Sequence, residues 1–279
     1  MTSISNLQQP LTPLANAPTN YMVCSTVRSG STLLCKTLGS IKNCGQPEEY
    51  FHRHTIRRLK LNHNPDTFLS YCQTIYQQSL RHSGCFGIKM MWPQLVDFLT
   101  LAHQSPQFKT ASDREILNHL FPNLTFIYLR RQDSVAQAVS AAIATQTGQW
   151  EKSTSTPQTT TRPIKFQPWH IYEWDNALKE HNAAWQTFFT QNNITYHSLT
   201  YEKLTQSFTS EISALLRYIN SPIQLKSETL TLPTQKQANA RNQTLIRDYK
   251  QLPKPLLAII HSLYRQLKPL PKETLGETK

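Results

Sequence analysis

The run YMVCSTVRSGSTLL at residues 21–34 constrains this 279-residue chain more than any other segment. An apolar stretch with strand character, residues 21–25, enters a turn of small residues that opens directly into a helical pattern. A parallel α/β sheet places its ligands at this point, off the carboxyl end of the first strand. The free N–H groups at the start of the following helix favour an anion. Ser29, Ser31 and Thr32 add hydroxyl donors there, and Gly30 allows the backbone to approach a phosphate closely. The same residues also suit an ordinary strand-to-helix turn capped by a serine, so the turn alone leaves both readings open.

The remainder of the chain repeats the alternation. Residues 86–90, 125–130 and 194–199 are short, mostly apolar or β-branched, and each is followed by a turn or cap signal. Helical spacing of apolar residues predicts helices over residues 32–39, 65–82, 93–103, 112–120, 134–145, 169–191 and 253–267, and near 208–220. Strands alternating with helices predict one α/β domain, a P-loop-like three-layer arrangement with a central parallel sheet flanked by helices. Its expected extent is residues 20–270. Residues 1–19 are polar and Pro-rich, without the basic start and apolar stretch of a signal peptide, and are expected to form a disordered leader. Residues 151–161 are almost entirely Ser, Thr, Gln and Lys, which predicts a polar insertion loop over about 150–168.

Charge and cysteine usage narrow the partners. The formal net charge is +12, so the chain attracts polyanions: nucleic acid, an anionic membrane surface or a small multi-phosphate ligand. The densest basic stretch, HRHTIRRLK at residues 52–60, is too short to choose among them. Five cysteines, an odd number without C-x-x-C spacing, argue against a disulfide framework or a zinc site and for reduced thiols in the cytoplasm. No run approaches the length of a membrane span.

The turn differs from the Walker pattern G-x-x-x-x-G-K-[ST] in one informative way. With Gly30 on the second glycine, Ser25 takes the place of the first, Ser31 that of the lysine and Thr32 that of the Ser/Thr. The lysine that reaches a γ-phosphate is missing, and a cation stands inside the loop instead, Arg28. This predicts a phosphate cradle for something other than a nucleoside triphosphate.

Further along, GQPEEYF (45–51) brings Glu48 and Glu49 after the first helix, where they suit either acid–base work or a helix start at Pro47. In FGIKMMWPQ (86–94), Lys89 lies within an apolar strand, so it reaches an anion at the strand end or extends to water. In FIYLRRQDSVAQAVS (126–140), a strand ends in Arg130 and Arg131, and Asp133 is placed to cap a helix from Ser134. Val135, Val139 and Ala142 are expected to face the core, with Ser134, Gln137, Ser140 and Ala141 on the other side. QKQANARNQT (235–244) reads as a loop rich in amides and cations.

Taken together, these stretches resemble the sulfotransferases, in which such a turn grips the 5′-phosphosulfate of 3′-phosphoadenosine 5′-phosphosulfate (PAPS). More closely, the chain resembles the bacterial trehalose 2-sulfotransferase-like family, over roughly residues 20 to 250. The resemblance implies sulfuryl transfer to a hydroxyl on a carbohydrate or glycolipid acceptor, with PAPS as donor and no metal. It assigns Arg28, Ser29, Gly30, Ser31 and Thr32 to the 5′ side of the donor, and Arg131 and Ser140 to the 3′-phosphate, for which an Arg fork is well suited. It implies that Lys236 and Arg241 face the 3′-phosphate or the sulfate from a closing loop. Glu49 takes the place of the family's base, with Arg28 offsetting charge beside it. Gln46, Glu48, Trp92 and Gln94 fall at acceptor-binding positions. The family's first acid is Gln46 here, a departure that bears on trehalose as acceptor more than on sulfuryl transfer. Homodimers and a peripheral membrane contact are also compatible with the resemblance.

Several alternatives stay open from the residues. His52 is a second candidate base, and His52 with His54 lacks the further ligands a metal needs. A basic nucleic-acid-binding module accounts for the charge, although no helix-turn-helix, RNP-like strand or zinc-finger spacing accompanies it. A divergent P-loop kinase is disfavoured by the absent lysine.

Overall fold

The computed structural model describes residues 19–151, 164–221 and 240–267. Among them, β1 (Thr19–Ser25), β2 (Cys85–Met91), β3 (Leu124–Arg130) and β4 (Tyr196–Thr200) form one sheet in the order β2-β1-β3-β4. All three pairings are parallel, and the register sets Ser25 beside both Met91 and Leu129. The carboxyl ends of the two central strands and β2 therefore lie level with one another. Parallel strands need crossover connections, and the helices supply them on both faces.

The helices are α1 (Ser31–Ser40), α2 (Arg53–Arg58), α3 (Pro65–Ser83), α4 (Trp92–His103), α5 (Asp113–Leu120), α6 (Ser134–Thr147), α7 (Pro168–Gln191), α8 (Tyr201–Gln206), α9 (Phe208–Tyr218), α10 (Ala240–Gln251) and α11 (Lys254–Leu267). Their starts are written locally. Asn64 accepts from the Asp66 amide ahead of Pro65, Ser112 and Glu115 form a capping box, and Asp133 accepts from the Ala136 amide at 2.9 Å.

The period-two alternation of the strands divides the core. Met22, Cys24, Phe86, Met90, Phe126 and Tyr128 pack towards α3, α4 and α7. Tyr21, Val23, Ile127, Leu129 and Leu199 pack towards α1, α8 and α9. A third cluster joins α6, α7, α10 and α11 through Val139, Trp174, Leu178, Leu245 and Tyr249. This is the single three-layer α/β domain that the strand and helix patterns predict. All five cysteines are buried free thiols.

Several expectations need correction. The helix α6 is buried on both sides: Gln137 and Ala141 have no exposed surface, like Ala138. The stretch 235–244 is not wholly a loop, because α10 begins at Ala240 and includes Arg241. Lys236 lies outside the described residues, as do the leader up to residue 18 and residues 152–163 of the polar insertion. The short helices α2 and α8 were not foreseen; each buries a single residue, Ile56 and Leu204, and so carries no apolar periodicity.

Candidate active site

The turn after β1 is fixed from three directions. The Trp185 indole N–H donates to the Ser25 carbonyl at 3.0 Å. The Gln137 amide donates to the Thr26 hydroxyl at 2.9 Å and to the Val27 carbonyl at 2.7 Å. On the third side lies the Tyr201 ring, so close to Gly30 that a Cβ there would meet Tyr201 Cδ2 at 2.5 Å. Arg28 and Gly30 adopt positive φ, 61° and 88°, which is cheap for the glycine and costly for the arginine. Gly30 is the N-cap of α1 and no side chain caps that helix, so the serine-cap reading of this turn falls. The first-turn N–H groups are left for an anion. The Ser29 hydroxyl is fully buried and has no hydrogen-bond partner among the described residues.

The left-handed backbone at Arg28 turns its side chain across to α6. Its Nε donates to the Ser140 hydroxyl at 2.9 Å, and Nη1 donates to the Trp150 carbonyl. Burial, with the nearby Arg131 charge, pulls the Arg28 guanidinium down to about 10, and Tyr201 opposes this. Arg28 thus remains a cation at neutral pH, in a setting that favours an added anion. Arg131 lies over the Tyr201 ring at 5.0 Å from its centroid. Its Nε is buried and unpartnered among the described residues. The adjoining Gln132 and Asp133 amides donate to the Glu202 carboxylate, which ties the end of β3 to α8.

Glu49 reaches the same region from the segment before α2. That segment runs along β2: Glu48 forms a parallel bridge with Ile88, and its carbonyl accepts from the Lys89 amide at 3.0 Å. Residue 89 falls on the α1 side of the strand, so its ammonium lies 2.7 Å from Glu49 Oε1 and 3.1 Å from the Thr32 hydroxyl. Gln94 completes the arrangement. Its amide nitrogen donates to Glu49 Oε2 at 2.5 Å, while its carbonyl oxygen accepts from the Met91 amide at 3.0 Å. Burial works to raise the Glu49 carboxyl, but the Lys89 charge, the hydrogen bonds from Lys89 and Gln94, and the His52 charge hold it below its ordinary value. Burial works to lower Lys89, and Glu49 outweighs it, so the ammonium is held above its ordinary range. The carboxylate is therefore ionised at neutral pH, with a cation alongside.

Arg28, Ser31, Thr32, Glu49 and Gln94 line a single cavity, joined by Lys89, His52, Arg53, Trp150, Trp174 and His181. The structure thus gathers the turn, the acid and Gln94, and it brings Ser140 to them through Arg28. Other expected site residues stand apart. Gln46 donates to the Gly39 carbonyl at 2.8 Å, at the carboxyl end of α1. Glu48 is exposed and contributes its backbone to the bridge with β2. Trp92 packs edge-on against Trp185 and Phe188, at 5.3 and 6.2 Å between ring centroids. None of these three lines the cavity.

Several residues in or around the site went unassigned from the sequence: Lys89 as the partner of Glu49, Gln137 and Tyr201 as supports of the turn, and Trp174 and His181 as cavity walls. A lysine inside an apolar strand was the available signal for the first. The rest sit at core-like spacing within helices, and only the packing of α6, α7 and α8 reveals them. Among the described residues, no group of three or more His, Cys, Asp or Glu is arranged to hold a metal, and no helix is long and apolar enough to cross a membrane.

Comparison with known proteins gives concordant findings. The family model for Stf0 sulphotransferase matches residues 20–252. A trehalose 2-sulfotransferase of Mycobacterium tuberculosis (strain Erdman) is 24% identical over 262 residues, covering 85% of this chain and 96% of the relative. A trehalose 2-sulfotransferase of Mycolicibacterium smegmatis is 23% identical over 266 residues, covering 85% of this chain and 97% of the relative.

Proposed function

The chain belongs to the Stf0 sulphotransferase family, and on that premise we propose that it transfers a sulfuryl group from PAPS to a hydroxyl of a carbohydrate or glycolipid, with Glu49 as general base. The observation that carries this reading is the shared cavity of Glu49, Lys89 and the uncapped start of α1. It sets a proton acceptor beside cations and backbone donors for the negative charge of the transfer.

The residues present fit the donor. The buried hydroxyl of Ser29 and the buried Nε of Arg131 lack partners among the described residues, and such groups are satisfied by an anion's oxygens. Arg28, Ser29, Gly30, Ser31 and Thr32 would hold the 5′ side, with Arg131 and Ser140 on the 3′-phosphate. Lys236 and Arg241 remain proposed contacts of the same phosphate or the sulfate. The donor supplies an activated sulfuryl group: a bond forms from the acceptor oxygen to sulfur as the bond from sulfur to the bridging phosphate oxygen breaks. The acceptor proton passes to Glu49, and adenosine 3′,5′-bisphosphate leaves. Glu49 is ionised for this role, and Gln94 orients its second oxygen. Lys89 and Arg28 oppose the negative charge on the sulfuryl and phosphate oxygens.

A carbohydrate acceptor is supported by the two trehalose 2-sulfotransferase relatives. The Gln46 side chain donates to the Gly39 carbonyl, so trehalose itself is not part of the proposal. Buried free thiols favour a reducing compartment, and the cytoplasm is the proposed location. We take residues 20–270 as the domain.

The test is ligand-induced stabilisation. Adenosine 3′,5′-bisphosphate is expected to raise the melting temperature by mass action on the native state. No shift, together with duplex DNA binding that weakens steeply with salt, would replace the enzyme by a nucleic-acid-binding module.

A further inference from the structure

The helix α7 presents Trp174, Leu178, His181 and Trp185 along one face, at spacings of four, three and four residues. Three of these are core residues with at most 1% of their surface exposed. His181 is the polar exception. It is only partly buried and opens onto the cavity that holds Glu49. Among the described residues, no hydrogen bond engages its ring. Burial lowers its pKa, so a neutral imidazole, one donor and one acceptor, faces the cavity at neutral pH.

Trp150 lines the same cavity, backed by the buried Trp174. Trp174 lies two turns before His181 on α7, and Trp150 packs against Trp174 at 6.1 Å and 64°. Trp150 is held at the cavity by the Arg28 contact to its carbonyl. Indole faces suit the C–H faces of a sugar ring, and an unpaired imidazole suits a ring hydroxyl. Trp92, the aromatic expected to face a sugar, is committed to Trp185 and Phe188.

We propose that His181, with the Trp150 ring backed by Trp174, forms a wall that binds the carbohydrate acceptor in the cavity that holds Glu49, and that His181 is the residue on α7 that selects among sugar hydroxyls. This rests on the proposed sulfotransferase reading for the identity of the acceptor, but its test needs no turnover. His181→Phe removes the hydrogen bond while keeping a ring in the α7 face, and His181→Gln keeps a donor and an acceptor. Trehalose, maltose and sucrose serve as probes, titrated by tryptophan fluorescence and by saturation-transfer NMR, with and without adenosine 3′,5′-bisphosphate.

Wild-type protein is expected to bind at least one of these disaccharides. His181→Phe should weaken that binding roughly tenfold, His181→Gln should restore most of it, and the nucleotide-induced melting shift should be unchanged in both. In wild-type protein, the ring 15N signals of His181 should move on sugar addition, which decides the matter even if His181→Phe does not fold. Absence of disaccharide binding by wild type, unmoved His181 signals, or a His181→Phe effect on the nucleotide rather than the sugar would overturn the proposal. Absence of the nucleotide shift in wild type, with sugar binding intact, would instead count against the sulfotransferase reading alone.

Discussion

Lys89 Nζ lies 2.7 Å from Glu49 Oε1, with the lysine side chain 12% and the glutamate side chain 29% exposed. The contact is set by backbone pairing, since Glu48 and Ile88 are bridged in parallel and hold the two side chains in step. Removing one member of so sheltered a pair leaves the other charge poorly compensated. Lys89→Met is therefore expected to cost about 2–3 kcal/mol in urea denaturation at pH 7.

The same pair governs pH dependence. Glu49 titrates below its ordinary value in the folded state, so its share of stability is present above the unfolded carboxyl range and is lost as pH falls through the folded value. Lys89 titrates above its ordinary value, so its share is present below the unfolded ammonium range and is lost as pH rises through the folded value. Wild-type stability should thus be level across neutral pH with respect to this pair. In Lys89→Met the carboxyl loses the charge that depresses it, and the acidic limb of the pH–rate profile should move to higher pH.

Gln137 ties α6 to the phosphate-binding turn through Thr26 and Val27. Gln137→Leu keeps the bulk and leaves the Val27 carbonyl without this donor. Adenosine 3′,5′-bisphosphate binding is expected to weaken by roughly tenfold, measured by calorimetry. Acceptor affinity should change little, because Gln137 does not line the cavity.

Gly30→Ala meets two obstacles. The residue has φ 88°, and its new Cβ would lie 2.5 Å from the Tyr201 ring. A loss of about 1–3 kcal/mol is expected, along with weaker nucleotide binding as Tyr201 shifts beneath Arg131. Circular dichroism melts with and without nucleotide check both effects.

The sheet was legible because its strands are apolar runs bounded by turns. The expected strands differ from β1, β2 and β3 by at most two residues at either end, and β4 begins two residues later than residue 194. The turn was legible because small residues between a strand and a helix have few other uses. Glu49 was reached through family resemblance, since an acid after Pro47 equally suits a helix start. The pairing of Glu49 with Lys89 was not legible: it joins residues forty apart through a strand bridge that local pattern does not reveal. Nor were Trp174 and His181, whose spacing on α7 matches an ordinary core face until the cavity beside it is known. Trp92 shows the converse, a motif tryptophan taken up by packing against Trp185.

The central claim is that Glu49 accepts the acceptor's proton during sulfuryl transfer. It is tested most directly by following sulfate from labelled PAPS into a carbohydrate acceptor with wild type and Glu49→Gln, alongside the melting shift given by adenosine 3′,5′-bisphosphate. Glu49→Gln should keep the nucleotide shift and lose about 10²-fold or more in turnover. Turnover equal to wild type, with the nucleotide shift intact, would contradict the assignment of Glu49 as the base.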